Sequence, residues 1–244
     1  MQKPLFISKT LFFPAEGILV IGDLHIGYEH MLHKSGIQIS LHLTNQIIND
    51  LKPILDHVKA VHKINKIVFI GDLKHFFNFE YEEKKEFFKL LNFIEHYVQN
   101  PKEDIVLIKG NHDTSDFTGK VMKNVFIHKE IAFTHGHEWF KELENPKIKY
   151  IVMGHIHPSI KLSDKAKSEK FKCFLVGKFK DKEVIVLPSF FNVIEGTDVN
   201  DYFEDYDDHF SIIPKKDLLK FNIYAVNEED DRFQVYNFGK IKDL

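Results

Sequence analysis

Short runs made only of apolar residues recur along the chain, and each is followed at once by a polar cluster. The runs cover residues 18–21, 67–70, 105–108, 131–133 and 151–153. Runs this short and this rich in β-branched residues read as strands buried on both faces. The clusters that follow are Gly22-Asp23-Leu24-His25, Gly71-Asp72-Leu73-Lys74-His75, Gly110-Asn111-His112-Asp113, Thr134-His135-Gly136-His137 and Gly154-His155-Ile156-His157. On an open α/β sheet, ligands gather at the carboxyl ends of the strands. One sheet edge should therefore carry Asp23, His25, Asp72, Asn111, His135, His155 and His157 together, a donor set that two divalent metal ions require.

Between these strands the period changes. Residues 28–34 read as a short helix closed by Ser35-Gly36. Residues 41–62 carry apolar side chains at helical spacing (Leu43, Ile47, Leu51, Ile54, Leu55, Val58, Val61), with a kink or break expected at Pro53. Residues 81–99 repeat the pattern with acids in the first turn. Residues 5–13 and 17–21 read as strands around Pro14-Ala15-Glu16-Gly17. From residue 125 onward the elements are mostly strands: 125–128, 131–134, 150–153, 158–162, 171–179 and 183–188, then a terminal hairpin of 221–226 and 232–238 around residues 227–231. The expected architecture is α/β, a single domain over residues 1–244 with two packed mixed β-sheets flanked by helices. Residues 163–170 and 196–216 are expected to be its mobile loops.

Composition narrows the class without naming a reaction. At 244 residues, 43% hydrophobic and 28% charged, the chain has ample material for a core. No apolar stretch approaches membrane-spanning length, no signal peptide is visible, and one cysteine excludes an internal disulfide, so the expected compartment is the cytoplasm. The net charge of −3 does not favour nucleic acid as a partner. Lysines crowd residues 161–182 and acids crowd residues 195–208. These read as two solvated segments of opposite sign, or as a basic lip beside an acidic flap.

Asp23 and His25 stand two apart, and on an extended segment such residues point the same way, so they can grip one ion; His155 and His157 repeat the spacing. Nitrogen and oxygen donors without thiolate suit manganese, iron, zinc or cobalt and do not choose between them; manganese is the expected ion, with iron, zinc, cobalt or nickel as alternatives.

In this order the motifs resemble those of the calcineurin-like metallophosphoesterase superfamily: Asp-X-His, Gly-Asp, Gly-Asn-His-Asp/Glu, His, then Gly-His-X-His. The resemblance covers residues 22–158 and implies a β-sandwich of two mixed sheets. It implies Asp23, His25 and His157 on a first metal, Asn111, His135 and His155 on a second, and Asp72 bridging both. It makes His112 the residue that assists the leaving group. It implies hydrolysis of a phosphate ester by attack of a metal-bridging hydroxide. An imidazole ordinarily titrates near neutral pH, so His112 can act as a general acid.

His75 is either an ordinary loop histidine or a second active-site imidazole. The segment Gly-Asp-Leu-X-His looks like the SbcD and double-strand-break-repair nuclease branch, and the whole chain looks most like the SbcD-related phosphoesterases of archaea. His137 reads equally as a residue behind the metals or as a buried, hydrogen-bonded one, and Asp113 as the residue that orients His112 or caps the next turn. Asn192 follows a strand and could face the site. The expected substrate is a nucleotide or cyclic nucleotide phosphodiester, or a monoester. The alternative is a manganese-dependent nuclease, weakened by acidic net charge and by the chain's ending soon after its last strands. From another class comes a non-catalytic scaffold, as in the retromer subunit that shares this fold but lacks the catalytic histidine.

Overall fold

The computed structural model describes residues 2–37, 42–75, 81–113, 120–163, 167–193, 196–200, 207, 210–227 and 233–244. Its first sheet contains β1 (Leu5–Ile7), β2 (Thr10–Phe13), β3 (Ile18–Ile21), β4 (Lys66–Ile70) and β5 (Ile105–Ile108), in that order. β3, β4 and β5 run parallel, and β1 and β2 are added antiparallel. Between them come α1 (Tyr28–Lys34), α2 (Leu43–Val61), α3 (Tyr81–Glu95) and a single turn, α4 (Pro101–Asp104).

The second sheet holds β6 (Val125–His128), β7 (Ile131–Thr134), β8 (Tyr150–Met153), β9 (Pro158–Ser163), β10 (Ser168–Phe179), β11 (Lys182–Val186) and β12 (Thr197–Asp198). Their order is β12-β9-β10-β11-β8-β7-β6, with β13 (Asn222–Val226) and β14 (Val235–Lys240) joined through β10. Parallel pairs β7–β8 and β8–β11 stand among antiparallel neighbours, so this sheet is mixed as well. A short helix, α5 (Lys215–Leu218), lies on its outer side with the 3-10 turn at Lys141–Glu144.

Why the strands are wholly apolar follows from the layers. Along β4, Ile67 and Phe69 face α2 and α3, whereas Val68 and Ile70 face the second sheet. Along β8, Val152 faces the first sheet while Ile151 and Met153 face the outer cover with Leu143 and Leu218. Alternate residues thus enter different cores, and neither face meets water. The two packed mixed sheets flanked by helices are as the periodicity indicated.

Three local readings change. Residues 5–13 form a hairpin, not one strand: Ser8 adopts φ 50°, and the Thr10 hydroxyl donates to the Ile7 carbonyl at 2.8 Å. α2 runs through Pro53 unbroken, because that proline stands on the exposed face, where water can solvate the carbonyl it deprives of a donor. α3 stops at Glu95, and Asn100 before Pro101 is held out of the helical region. Residues 164–166, 201–206, 208–209 and 228–232, within the expected loops and the terminal turn, lie outside the described residues, as does most of the acidic segment. Among the described residues no helix is long and apolar enough to cross a membrane.

Candidate metal centre

All five motifs follow the carboxyl ends of strands, but on the edges of two sheets and not of one as expected: β3, β4 and β5 in the first, β7 and β8 in the second. Backbone hydrogen bonds stitch the loops together. Leu24 and His25 donate their N–H groups to the Asp72 carbonyl at 3.1 and 2.9 Å, and Gly154 donates to the His135 carbonyl at 3.0 Å. His155 donates its N–H to the Asp23 carboxylate at 3.3 Å, which ties the second sheet to the first.

Two groups of ligand atoms result, each within 4.8 Å: Asp23, His25, Asp72 and His157, and Asp72, His135 and His155. Asp72 belongs to both. Asn111 joins the second group, its Oδ1 lying 3.0 Å from His135 Nε2. All seven residues singled out for metal in the sequence are therefore brought together.

One geometric inference is corrected. His155 and His157 do not point the same way; they fall in different groups. The loop is not extended, since His155 and His157 have φ of 67° and 50°, and His25 and Asp72 are likewise left-handed at 46° and 43°. Non-glycine residues held there are strained, and such strain collects at functional sites. The glycines have a separate cause. A Cβ on Gly110 would lie 2.2 Å from Asp72 Oδ1, and one on Gly154 would lie 2.4 Å from Asp23 Oδ2.

The donor chemistry fits a cation. His135 Nδ1 donates to the Ile70 carbonyl at 3.0 Å, and His155 Nε2 donates to the Phe210 carbonyl at 2.7 Å. In the neutral tautomers these bonds select, His135 Nε2 and His155 Nδ1 face each other with lone pairs at 3.1 Å, beside Asp72 Oδ2 at 3.4 Å from the former. In the other group, His25 Nε2 and His157 Nε2 are 3.4 Å apart, and Asp23 Oδ1 is 3.3 Å from the latter. The exception is His25 Nδ1, buried without a hydrogen-bond partner among the described residues; its ring is wedged among those of His75, His112, His157 and Phe191.

Electrostatics point the same way. Burial lowers His25 to about 3 and His155 to about 4, with nearby imidazoles adding to the effect, so both stay neutral and able to donate a lone pair. Burial also depresses His135, but its hydrogen bond to Asp72 and the charges of Asp23 and Asp72 outweigh that and push it up to about 9. A proton there acts in the direction a metal ion would: it offsets part of the charge of two buried carboxylates. Burial opposes their ionisation, yet His157 and His135 beside Asp23, and His135 and His25 beside Asp72, hold both below the ordinary carboxylate range.

His112 lies beside both groups. Its N–H donates to Asp72 Oδ1 at 3.0 Å, its Nδ1 donates to the His75 carbonyl at 2.9 Å, and its ring is 5.5 Å from that of His25. The His75 ring stacks on it at 5.7 Å and meets Tyr28 at 4.9 Å, so His75 is at the site and not a remote loop residue. Burial and the neighbouring His112 keep His75 below the usual histidine value. The His137 ring is 5.3 Å from that of His135 and 6.1 Å from that of His155.

Asp113 has a different role from the one expected. It accepts backbone N–H groups from Gly110 at 2.9 Å, Leu73 at 3.2 Å and Lys74 at 3.4 Å, bracing the second and third motif loops against each other. Asn192 faces Lys9 and Asp50, not the ligand atoms. The basic stretch is not one lip. Lys172 and Lys182 are buried and donate to backbone carbonyls, and Lys170 pairs with Asp198 at 3.0 Å. A cavity of about 850 Å³ lined by Phe88, Lys120, Val121 and Lys123 includes none of the motif residues, so hollow shape alone does not locate this site.

The sequence of residues 17–184 matches the family described as calcineurin-like phosphoesterase. This chain belongs to that family. No curated protein matches it. Among solved structures, the nuclease MPE of Pseudomonas putida is similar over 97% of this chain and 99% of that one, at 18% identity and a TM-score of 0.59. Vps29 of Entamoeba histolytica, in complex with Zn²⁺, aligns over 90% and 96% at 13% identity and a TM-score of 0.39. An archaeal phosphodiesterase aligns over 91% and 99% at 12% identity and a TM-score of 0.36. At 18% identity the likeness to the nuclease MPE speaks for the fold alone.

Proposed function

We propose that this family member, acting as one domain over residues 1–244, is a dinuclear metal-dependent phosphoesterase that prefers diesters, with a nucleotide or cyclic nucleotide as substrate. The observation that carries it is the pair of ligand groups sharing Asp72. Asp23, His25 and His157 would hold one ion, Asn111, His135 and His155 the other, with Asp72 between them. Two divalent cations there would supply Lewis acidity for the phosphoryl oxygens and a water acidic enough to attack at neutral pH. Manganese is the ion we expect, although the nitrogen and oxygen donors suit iron, zinc or cobalt as well.

His112 would protonate the departing oxygen. Its Nδ1 is committed to the His75 carbonyl, so the proton would leave from Nε2. His75, stacked on His112, holds that ring in place and narrows the approach to it. The test is turnover of bis(p-nitrophenyl) phosphate against p-nitrophenyl phosphate by metal-depleted protein resupplied with Mn²⁺. Faster diester cleavage, abolished by a chelator, is expected. Turnover of neither, with two ions bound, would leave the scaffold reading in its place.

Nucleic acid strands are the second substrate class. The Pseudomonas putida nuclease, aligned over 99% of its own length, supports it by showing that a nuclease can be built within a chain of this fold and extent. Single-strand cleavage that falls steeply with added salt would favour strands over small nucleotides.

A further inference from the structure

Lys172 lies on β10 and is buried, although lysine is among the residues least often found inside. Its ammonium donates to the Ser189 carbonyl at 2.9 Å and to the Phe191 carbonyl. These two carbonyls belong to the loop after β11. The same loop grips the first metal-binding motif from behind. The Ser189 hydroxyl donates to the Asp23 carbonyl at 3.0 Å, and the N–H groups of Phe190 and Phe191 reach that carbonyl at 3.0 and 3.3 Å. The Phe191 ring meets His25 at 6.1 Å and Tyr28 at 5.2 Å. Lys9, from the β1–β2 hairpin in the other sheet, holds the far end of the loop through Asn192 and lies 4.7 Å over the Phe190 ring.

We infer that Lys172 is a positioning residue for one of the two metal sites, the one formed by Asp23, His25 and His157. The inference rests on the metal reading given above. Three N–H donors on one ammonium can satisfy two carbonyls that turn the same way, which a neutral side chain of the same length cannot do. The relay runs from Lys172 through the Ser189–Phe191 turn to the Asp23 backbone, and so to the Asp23 carboxylate. Asp23 also touches the other group, accepting the His155 N–H at 3.3 Å and lying 3.4 Å from His135 Nδ1, but those two imidazoles have anchors of their own in the Phe210 and Ile70 carbonyls. The effect of Lys172 should therefore fall more heavily on the Asp23 ion than on the other.

The test is calorimetric titration of metal-depleted wild type, Lys172→Met and Lys172→Arg with Mn²⁺, with circular dichroism as the check on folding. Wild type should bind two ions. Lys172→Met should weaken one of them about 10–100-fold, as removal of a residue behind a ligand commonly does. The other should weaken less, and Lys172→Arg should restore the weakened site. Should Lys172→Met fail to fold, Ser189→Ala probes the same relay and should weaken the same site most. Equal weakening of both ions, or of neither, in the folded variants overturns the relay. Failure of wild type itself to bind two ions overturns the metal reading, and the relay with it, before any variant is compared.

Discussion

Asp72 Oδ1 accepts the backbone N–H of His112 at 3.0 Å, while its Oδ2 lies 3.4 Å from His135 Nε2 and 4.0 Å from His25 Nε2. One carboxylate thus fixes the histidine proposed as the acid and faces both ligand groups. Asp72→Asn keeps an oxygen for the His112 N–H but removes the charge shared by both sites. The expected outcome is loss of both metal ions together with activity, read by metal analysis after gel filtration. Retention of two tightly held ions would show that Asp72 does not bridge.

His112 contributes no ligand atom to either group, so His112→Ala should keep both ions. The expected loss is about 10²–10⁴-fold in kcat for an ester with a poor leaving group, the range of general acid catalysis. A p-nitrophenyl ester, whose leaving group needs no proton, should suffer far less. Equal losses across a series of leaving groups would assign His112 to phosphate binding instead.

Gly154→Ala places a methyl group 2.4 Å from Asp23 Oδ2. Overpacking of this kind costs about 1–3 kcal/mol. The carboxylate must shift, so a lowered urea midpoint should come with weaker binding at the Asp23 ion. A variant with two unaltered sites would mean that the loop yields without moving Asp23.

The metal-free protein should be most stable near neutral pH. His25 and His155, lowered to about 3 and about 4, leave the folded state short of protons that the unfolded chain binds below its ordinary value of 6.5. Stability therefore rises with pH up to that value. Asp113, raised by burial to about 6, opposes part of this rise, because the folded state keeps a proton the unfolded chain has released. His135, raised to about 9, holds its proton where the unfolded histidine has lost it, so stability falls as pH climbs from 6.5 through 9. Thermal midpoints of chelator-treated protein across this range should trace a dome. Added metal displaces the proton on His135, so its stabilising effect should grow with pH. A monotonic curve would contradict the protonated His135.

Much of the site was legible because its physics is local. A run such as Ile67-Val68-Phe69-Ile70 has no polar side to turn to water, so it must be a strand covered on both faces, and the motif that follows must lie at its end. The order of Asp23, Asp72, Asn111, His135 and His155 was readable for that reason. What periodicity could not supply was the conformation of the loops. His155 and His157 separate because their backbones are left-handed, a state that depends on Asp23 accepting the His155 N–H from another sheet.

Sequence alone indicated most of the strands, the two packed sheets and the seven candidate donors, since buried apolar runs and helical stripes admit few alternatives. Tertiary structure alone decided the left-handed loops that set those donors in two groups and what holds them. Lys172 reads as a surface residue in an alternating strand, and Asp113 as a companion of His112. Their roles depend on which carbonyls and N–H groups the chain folds over them, from Ser189 and Phe191 in one case and from Leu73 and Lys74 in the other. A buried charge is stable only where such partners converge, and convergence between distant segments is not written in either segment by itself.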